Sequence, residues 1–180
     1  MSGHASDAGD GWSADVFTAM RKRGIETVCT IPDGGLTPLL RMVADSDEMR
    51  LVTLSTEEEG MGVVAGQWLG GKRSLMAMQS SGVGNCINAL GFPAILGAPC
   101  LMLVTMRGVW GEFNPWQVQM GMATRSVLEA VGVKCFPVDD PSEVAETFAS
   151  AADLCFNGNF SVAVLVSQRV IGAKGFGQDD

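Results

Sequence analysis

The sequence has few of the residues that most often carry acid–base chemistry or bind metals. Its only histidine, His4, lies close to the start of the chain. Its five cysteines are scattered without a C-x-x-C pair, and several lie in apolar runs. Such thiols are usually buried and reduced, as in cytoplasmic proteins. We therefore expect a cytoplasmic protein without histidine-based catalysis and without a histidine-rich metal site.

Charge and long apolar runs are also scarce. Charged residues make up 18% of the chain, and the formal net charge is −8 with no dense basic cluster. We therefore expect no nucleic-acid partner. The longest apolar stretch, "APCLMLVTM" at 98–106, is strand-sized, so we expect no membrane span. Hydrophobic residues make up 47%, which predicts a sizeable core and some surface buried against a partner chain.

The two ends of the chain differ from its middle in composition. Residues 1–12 are small and polar and contain no apolar signal segment. We interpret them as a flexible N-terminal tail, residues 13–172 as one domain, and residues 173–180 as a C-terminal tail.

Apolar runs of strand length alternate with helical patterns through the middle of the chain. The predicted strands are 26–32, 50–55, 74–79, 100–106, 133–138 and 161–167. The predicted helices are 13–23, with Ser13 as its N-cap, followed by 36–44, 57–70, 86–96, 123–132 and 142–156. The strands are almost continuously apolar. This pattern predicts an α/β fold with a single domain and a mostly parallel sheet covered by helices on both faces.

Ligands of such sheets bind at the carboxyl ends of the strands. The turn "PDGG" after the first strand contains Asp33, which either caps the next helix or projects into a site. The segment 107–121 is a long loop with Arg107 and Gln117, and long loops favour function. The alternative is a packed surface loop whose aromatic side chains bury themselves.

Three consecutive glutamates, Glu57–Glu59, open the helix after the second strand. Thr56 and Glu59 match a capping box, and acids suit a helix N-terminus, so a structural role is one interpretation. However, Glu57 heads the apolar stripe of Met61, Val64 and Trp68. Burying a carboxylate costs free energy unless it has a partner, which makes Glu57 the functional candidate of the three.

The segment "SSGVGN" at 80–85 follows a strand and precedes a helical pattern. It matches only the G-x-G of the dinucleotide-binding fingerprint, because Ile87 occupies the third glycine position. A tight turn between strand and helix is the alternative, since glycine suits such turns sterically.

Together these segments resemble a known family. "TEEEGMGVVAGQWLGGK" at 56–72, "MQSSGVGNCINAL" at 78–90 and "PWQVQMGMATRSVLEAVGV" at 115–133 are similar to the pyrimidine-binding (PYR) domain of thiamine-diphosphate-dependent decarboxylases. Within that family the resemblance is to the alpha subunit of sulfopyruvate decarboxylase and to the N-terminal half of phosphonopyruvate decarboxylase. "IPDGGLTPLL" and "SVAVLVSQRVI" fit the same family and extend the resemblance over nearly the whole chain.

The resemblance implies thiamine diphosphate as the cofactor and assigns roles to residues. Counting back from Gly66, the family's cofactor-activating glutamate corresponds to Glu57, whose carboxyl hydrogen-bonds the aminopyrimidine ring. The residues implied in binding the cofactor are Glu57, Gln79, Gly82, Gly84 and Asn85. Those implied in contacting a 2-oxo-acid substrate are Asp33, Arg107 and Gln117.

The resemblance also implies a partner. The family holds the diphosphate and Mg2+ with a G-D-G motif followed by an asparagine. Here the only G-D-G is Gly9–Gly11, and no asparagine precedes Asn85. We therefore expect a beta subunit that carries the diphosphate-binding (PP) domain and most of the Mg2+ ligands, in a hetero-oligomer with the active site between the subunits.

The sequence departs from the family's usual pattern at Thr56, Ser80 and Met122, which leaves the substrate open. A sulfonate or phosphonate favours a cationic donor such as Arg107, whereas the aromatic stretch "VWGEFNPW" suits a less polar 2-oxo acid. Three other functions stay open at this point. They are carboligation or oxidation on the same cofactor, a non-catalytic binding module with this fold, and nucleotide binding, which Ile87 disfavours.

Overall fold

A computed structural model describes residues 11–172, which form six parallel strands and the helices that connect them. The strands are β1 (Ile25–Thr30), β2 (Arg50–Thr53), β3 (Arg73–Gln79), β4 (Leu101–Thr105), β5 (Lys134–Val138) and β6 (Val162–Val166). They form one sheet in the order β2-β1-β3-β4-β6-β5. Every neighbouring pair is parallel, with registers such as Cys29 beside Met76 and Met76 beside Met102.

Helices precede, connect and follow the strands. They are α1 (Gly11–Lys22), α2 (Thr37–Ala44), α3 (Glu57–Leu69), α4 (Ser80–Cys86), α5 (Gly91–Leu96), α6 (Val118–Ala130), α7 (Val144–Gly158) and α8 (Gln168–Ile171). Short 3-10 turns at Gly34–Leu36, Pro115–Gln117 and Pro141–Glu143 lead into α2, α6 and α7. None of the helices within residues 11–172 is long and apolar enough to cross a membrane.

The sheet divides the core into two layers, because successive side chains of a strand point to opposite faces. Leu75, Ala77, Leu101 and Leu103 pack with α1, α2 and α7, whose largest fully buried side chain is Phe148. Met76, Met78, Met102 and Val104 pack on the other face against α3, α4 and α6. The prediction of an α/β domain with a parallel sheet and helices on both faces is therefore confirmed.

The start of the domain differs from the prediction. Helix α1 begins at Gly11, and Trp12 is only 4% exposed, so these two residues belong to the core-forming helix and not to the predicted tail. Ser13 is not an N-cap. Its hydroxyl oxygen is buried inside the helix without a hydrogen-bond partner in the described part of the chain. The predicted tails otherwise lie outside the described residues.

Two predicted loops also contain regular structure. The segment at 80–85 was predicted as a glycine turn before a helix, but α4 begins directly at Ser80, and the break falls at 87–90 before α5. The predicted loop 107–121 is irregular only as far as Asn114. The side chain of Asn114 caps the turn that starts at Pro115 by accepting from the Trp116 N–H. A cap followed by proline is a strong start signal, and α6 follows at Val118.

The order of the strands places a crevice between β1 and β3. The chain leaves β1 towards β2 on one side and leaves β3 towards β4 on the other, so the two connections diverge. Parallel sheets bind ligands at such a switch point, beyond the carboxyl ends of the strands. Asp33 lies just beyond the end of β1 and Gln79 ends β3, so both predicted site residues border this crevice.

Candidate active site

A hydrogen-bond network joins the ends of three strands across the crevice. Asp33 Oδ1 accepts from Gln79 Nε2 at 3.0 Å, and Asp33 Oδ2 accepts from the Thr105 hydroxyl at 2.8 Å. Oδ2 also accepts from the Gly35 N–H at 3.1 Å and so caps the turn before α2. Asp33 therefore combines the two roles that its sequence left open, a cap and a group in the crevice.

The amide of Gln79 is fixed at both of its ends. Its Nε2 is held by Asp33, and its Oε1 accepts a short hydrogen bond from the Ser81 hydroxyl. Ser80 Oγ contributes to the same edge by accepting from the backbone N–H of Arg107 at 3.0 Å. The end of β3 is thus tied to the ends of both β1 and β4.

The three glutamates of α3 differ in burial. Glu57 is 7% exposed, whereas Glu58 and Glu59 are exposed. The capping box does not form as predicted, because the Thr56 hydroxyl makes no capping bond. Glu59 Oε2 instead accepts from the N–H of Ser55, the residue before the N-cap, at 2.9 Å. The helical-face argument correctly separated Glu57 from its neighbours.

The carboxylate of Glu57 lies against the backbone of α4. Its Oε2 accepts from Asn85 Nδ2 at 2.9 Å, whereas Oε1 has no hydrogen-bond donor among residues 11–172. A Cβ atom at Gly82 would lie 2.6 Å from Glu57 Cδ, which no real contact allows. Glycine at position 82 is therefore required for Glu57 to occupy this place, and Gly82 meets the glutamate itself.

The predicted apolar stripe that follows Glu57 along α3 is only partly correct. Met61 and Val64 pack beneath the sheet face that carries α3. Trp68 instead stacks on Phe156 of α7, with ring centroids 6.1 Å apart. The last turn of α3 lies at the amino-terminal edge of the sheet, where the two helical layers meet, so its largest residue contacts the opposite layer.

Arg107 begins the irregular segment after β4 and does not stand as a free cation. Its Nε and Nη2 donate to the two carboxylate oxygens of Glu112 at 2.8 and 2.7 Å, and its guanidinium lies over the Phe113 ring. The sequence reasoning missed Glu112. The available signal was an acid five positions after the arginine in the same loop.

The side chain of Glu112 holds this segment together by accepting hydrogen bonds from it. Its side chain is 3% exposed and accepts two further backbone hydrogen bonds, from the N–H groups of Gly108 and Asn114. It also accepts from Gln168 Nε2 at 2.9 Å, and Gln168 Oε1 in turn accepts from the N–H groups of Val109 and Trp110. Gln168 is also buried and was not identified from the sequence.

The remaining predicted residues lie on or beside the start of α6. Gln117 Oε1 is buried and has no hydrogen-bond partner in the described part of the chain, so a bound ligand or partner would relieve it. Gly84 faces this helix, since a Cβ there would lie 3.0 Å from Met120 Sδ. A small cavity of about 170 Å3, lined by Asp33, Gly35, Arg107 and Ile171 among others, opens beside the crevice.

Three of the predicted site residues differ in how far their acceptor atoms are satisfied. Asp33 has three hydrogen bonds, Glu57 has one, and the amide oxygen of Gln117 has none. Within residues 11–172 no group of three His, Cys, Asp or Glu side chains is arranged to hold a metal ion. A carboxylate oxygen without a donor, as in Glu57, suits an organic ligand with nitrogen donors.

Glu112 makes a testable contribution to stability. Burial raises the pKa of its carboxyl, but hydrogen bonds from Arg107 and from the Asn114 and Gly108 N–H groups outweigh burial and lower the pKa to about 2, from 4.5. A depressed folded-state pKa stabilises the fold above pH 4.5, and this stabilisation is lost as the pH falls towards 2. The shift corresponds to about 3 kcal/mol. We expect Glu112→Gln to lower the free energy of unfolding at pH 7 by that order and the gap to wild type to narrow below pH 4.5, measured by denaturant titration.

A matched control for this change is Glu48→Gln. Glu48 also accepts two hydrogen bonds from one arginine, Arg21, but both side chains are exposed, and exposed pairs contribute little. A gap between Glu112→Gln and wild type that is as wide at pH 2.5 as at pH 7 would contradict the assignment.

Comparison with known proteins agrees with this architecture. Residues 12–120 match the family model described as thiamine pyrophosphate enzyme, N-terminal TPP binding domain. The chain is 32% identical over 155 residues to the sulfopyruvate decarboxylase subunit alpha of Methanococcus maripaludis, covering 86% of this chain and 93% of that protein. It is also 32% identical over 164 residues to the phosphonopyruvate decarboxylase of Streptomyces viridochromogenes, covering 88% of this chain but 41% of that protein.

A solved structure extends the likeness to the fold. The 2-oxoglutarate:ferredoxin oxidoreductase of Magnetococcus marinus superposes with a TM-score of 0.72 at 18% identity, over 89% of this chain and 29% of that one. The family match covers more than half of the chain, and the archaeal relative is matched over nearly its full length. The chain therefore belongs to the thiamine pyrophosphate enzyme family, within which it is the N-terminal TPP-binding domain.

Proposed function

We propose that this chain is the alpha subunit of a two-subunit, thiamine-diphosphate-dependent 2-oxo-acid decarboxylase of the sulfopyruvate and phosphonopyruvate type. The observation that carries the proposal is the buried Glu57, which has one carboxylate oxygen held by Asn85 and the other without a donor among residues 11–172. A carboxylate placed in this way is prepared for a ligand that is not part of the chain.

The residues around Glu57 fit the aminopyrimidine ring of the cofactor. Glu57 Oε1 would hold a proton against a ring nitrogen, and Asn85 keeps the carboxylate in place from the opposite side. Gln79, fixed by Asp33 and Ser81, and Gly84 complete the wall of the proposed cofactor site. When bound, thiamine diphosphate supplies the electron sink that allows a 2-oxo acid to lose carbon dioxide.

The chain's own residues would bind and orient the substrate at the crevice. Asp33 and Arg107 line the small cavity beside it, and Gln117 has an unpaired amide oxygen. Arg107 Nη1 makes no hydrogen bond in the described part of the chain and is the donor available for an anionic substrate group. A sulfonate or phosphonate suits such a donor.

A partner subunit is the second part of the proposal. The streptomycete relative is matched over only 41% of its length, which supports a missing second half. Apolar side chains at the start of α6 are exposed, among them Trp116 at 86% and Met122 at 68%. Trp116 also lines a surface hollow of about 630 Å3 that a partner would fill. We propose that a beta subunit covers this surface with a diphosphate-binding domain and supplies most of the Mg2+ ligands, in a hetero-oligomer.

The names of the relatives favour decarboxylation over carboligation or a non-catalytic module, since they are sulfopyruvate and phosphonopyruvate decarboxylases. We further propose a cytoplasmic location. Four of the five free thiols are buried, and burial raises the pKa of Cys29 to about 11 and of Cys155 to about 12. Such thiols persist unpaired in a reducing compartment.

Glu57→Gln tests the proposal directly. We expect this change to lower carbon dioxide release from sulfopyruvate by the paired subunits about 100-fold or more, because the amide cannot exchange a proton with the cofactor ring. The control is Glu58→Gln, one residue along the same helix but exposed, which should leave activity intact. Equal activity in both variants would refute the role of Glu57.

Gly82→Ala tests whether the position of Glu57 matters as well as its chemistry. The added methyl would push the carboxylate away from α4, so we expect a loss of activity comparable to that of a 1 Å misplacement, about 100-fold. Gly62→Ala is the control, because nothing lies within 4 Å of a Cβ there. Full activity of Gly82→Ala would mean that Glu57 is not held where the structure has it.

The isolated chain should bind the cofactor weakly, because the proposed diphosphate and Mg2+ ligands lie on the partner. In calorimetric titration with thiamine diphosphate and Mg2+, we expect a dissociation constant more than about tenfold higher for the lone chain than for the pair. Tight one-to-one binding by the lone chain would contradict the split site.

A further inference from the structure

The segment 106–114 is held in one conformation by two buried polar side chains from different parts of the chain. Glu112 accepts five hydrogen bonds, two from the Arg107 guanidinium, two from backbone N–H groups and one from Gln168. Gln168 Oε1 accepts two more hydrogen bonds, from the backbone N–H groups of Val109 and Trp110. A buried polar network whose members are satisfied in this way makes the segment that it holds rigid.

The geometry of the pair restricts what Arg107 can do. Two of its three nitrogens are occupied by Glu112 in a forked arrangement, and the Phe113 ring covers one face of the guanidinium. The third nitrogen, Nη1, is bound by no described residue, and the directions of its N–H groups are fixed because the guanidinium is planar and rigid. The charge of the arginine is balanced locally, so what it offers is a directed hydrogen bond more than a net charge.

Helix α6 packs closely against the same segment. A Cβ at Gly121 would lie 2.9 Å from the Arg107 carbonyl carbon, and a Cβ at Gly108 would lie 2.6 Å from Val118 Cα. Gly108 also has a φ of +82°, a conformation that favours glycine. The backbone at Arg107 and Gly108 thus packs closely against the helix whose start carries Gln117, and Glu112 holds the Arg107 side chain.

We propose that Glu112 is a positioning residue, which with Gln168 aims Arg107 at the cavity that Asp33 and Gly35 line, and so sets the selectivity for 2-oxo acids with a second anionic group. This inference rests on the proposed function and deepens it. Glu112 itself touches neither substrate nor cofactor; it acts through Arg107. The forked pair and the substrate-facing donor form one unit.

The test uses the paired subunits with four variants: Glu112→Gln, Arg107→Met, Arg107→Lys and the double variant Glu112→Gln/Arg107→Met. Steady-state kinetics are measured with sulfopyruvate and with pyruvate, which lacks the second anion. We expect both Glu112→Gln and Arg107→Met to raise KM for sulfopyruvate about tenfold or more, with a smaller change for pyruvate. The double variant should lose no more than the worse single variant, because the two residues act as a unit.

Arg107→Lys separates positioning from simple charge. Lysine keeps the positive charge but cannot form the forked pair, so we expect it to behave like Arg107→Met. A lysine variant with wild-type KM, or multiplicative losses in the double variant, would overturn the proposal. So would an equal rise in KM for both substrates. The matched control is Glu48→Gln, which breaks a forked pair of the same geometry on the exposed surface and should leave both KM values unchanged.

A second readout does not depend on activity. Trp110 lies within the segment, and its backbone N–H is bound by Gln168. Acrylamide quenching, with the Trp110→Phe background subtracted, should increase in Glu112→Gln and stay unchanged in Glu48→Gln; unchanged quenching in Glu112→Gln would overturn the proposal. If wild-type subunits release no carbon dioxide from either substrate, the proposed function fails; if they are active and Glu112→Gln matches Glu48→Gln, only the positioning role fails.

Discussion

The cost of removing a carboxylate from water governs the architecture of this site. An ionised side chain placed in a protein interior must be compensated by donors, and three acids meet this requirement in different ways. Glu112 has five donors and Asp33 has three. Glu57, at 7% exposure, has one. Two of the acids are therefore structural members of hydrogen-bond networks, and the third has capacity left for a ligand. This ranking by unsatisfied hydrogen-bonding capacity favours Glu57 as the ligand-binding acid without any reference to relatives.

The parallel sheet brings these three acids to the same edge, because each follows the carboxyl end of a strand. The carboxyl ends of β1, β3 and β4 supply Asp33, Gln79 and Thr105, which bond to one another and tie the strands together. Helix α3 presents Glu57 from its first turn, and glycine at position 82 lets α4 approach closely enough to receive it. Because the rigid network surrounds an open crevice, the site is held in shape before any ligand binds, which reduces the conformational cost of binding.

The sequence predicted this arrangement well where local periodicity decides the outcome. Apolar runs located all six strands, and a helical period of 3.6 residues separated the buried Glu57 from its two exposed neighbours. The predictions failed where contacts between residues distant in sequence determine the structure. The pairing of Gln168 with Glu112 joins residues 56 positions apart, so no local pattern reveals it. The same holds for Trp68, which stacks on Phe156 of the opposite layer. The helix at 80–85 was missed because glycines favour a turn locally, whereas packing against Glu57 and Met120 selects the helix.

The distribution of charge gives a reason for pairing Arg107, the proposed anion-binding residue, with Glu112. An unpaired guanidinium in this partly buried position would draw in any anion, including the carboxylate that every 2-oxo acid carries. Pairing Nε and Nη2 with Glu112 offsets that attraction and leaves Nη1 as the one guanidinium nitrogen without a partner in the described part of the chain. Its N–H groups can distinguish substrates by where a second anion lies and not by charge alone. The long-range attraction for a doubly charged substrate must then come from outside the described residues, because Asp33, Arg107 and Glu112 together sum to a negative charge at this edge. If the partner subunit carries the diphosphate site, as proposed, it would also supply the positive charge that attracts the substrate. Substrate capture would then depend on assembly, so that a lone alpha subunit binds the cofactor only weakly and does not attract the substrate.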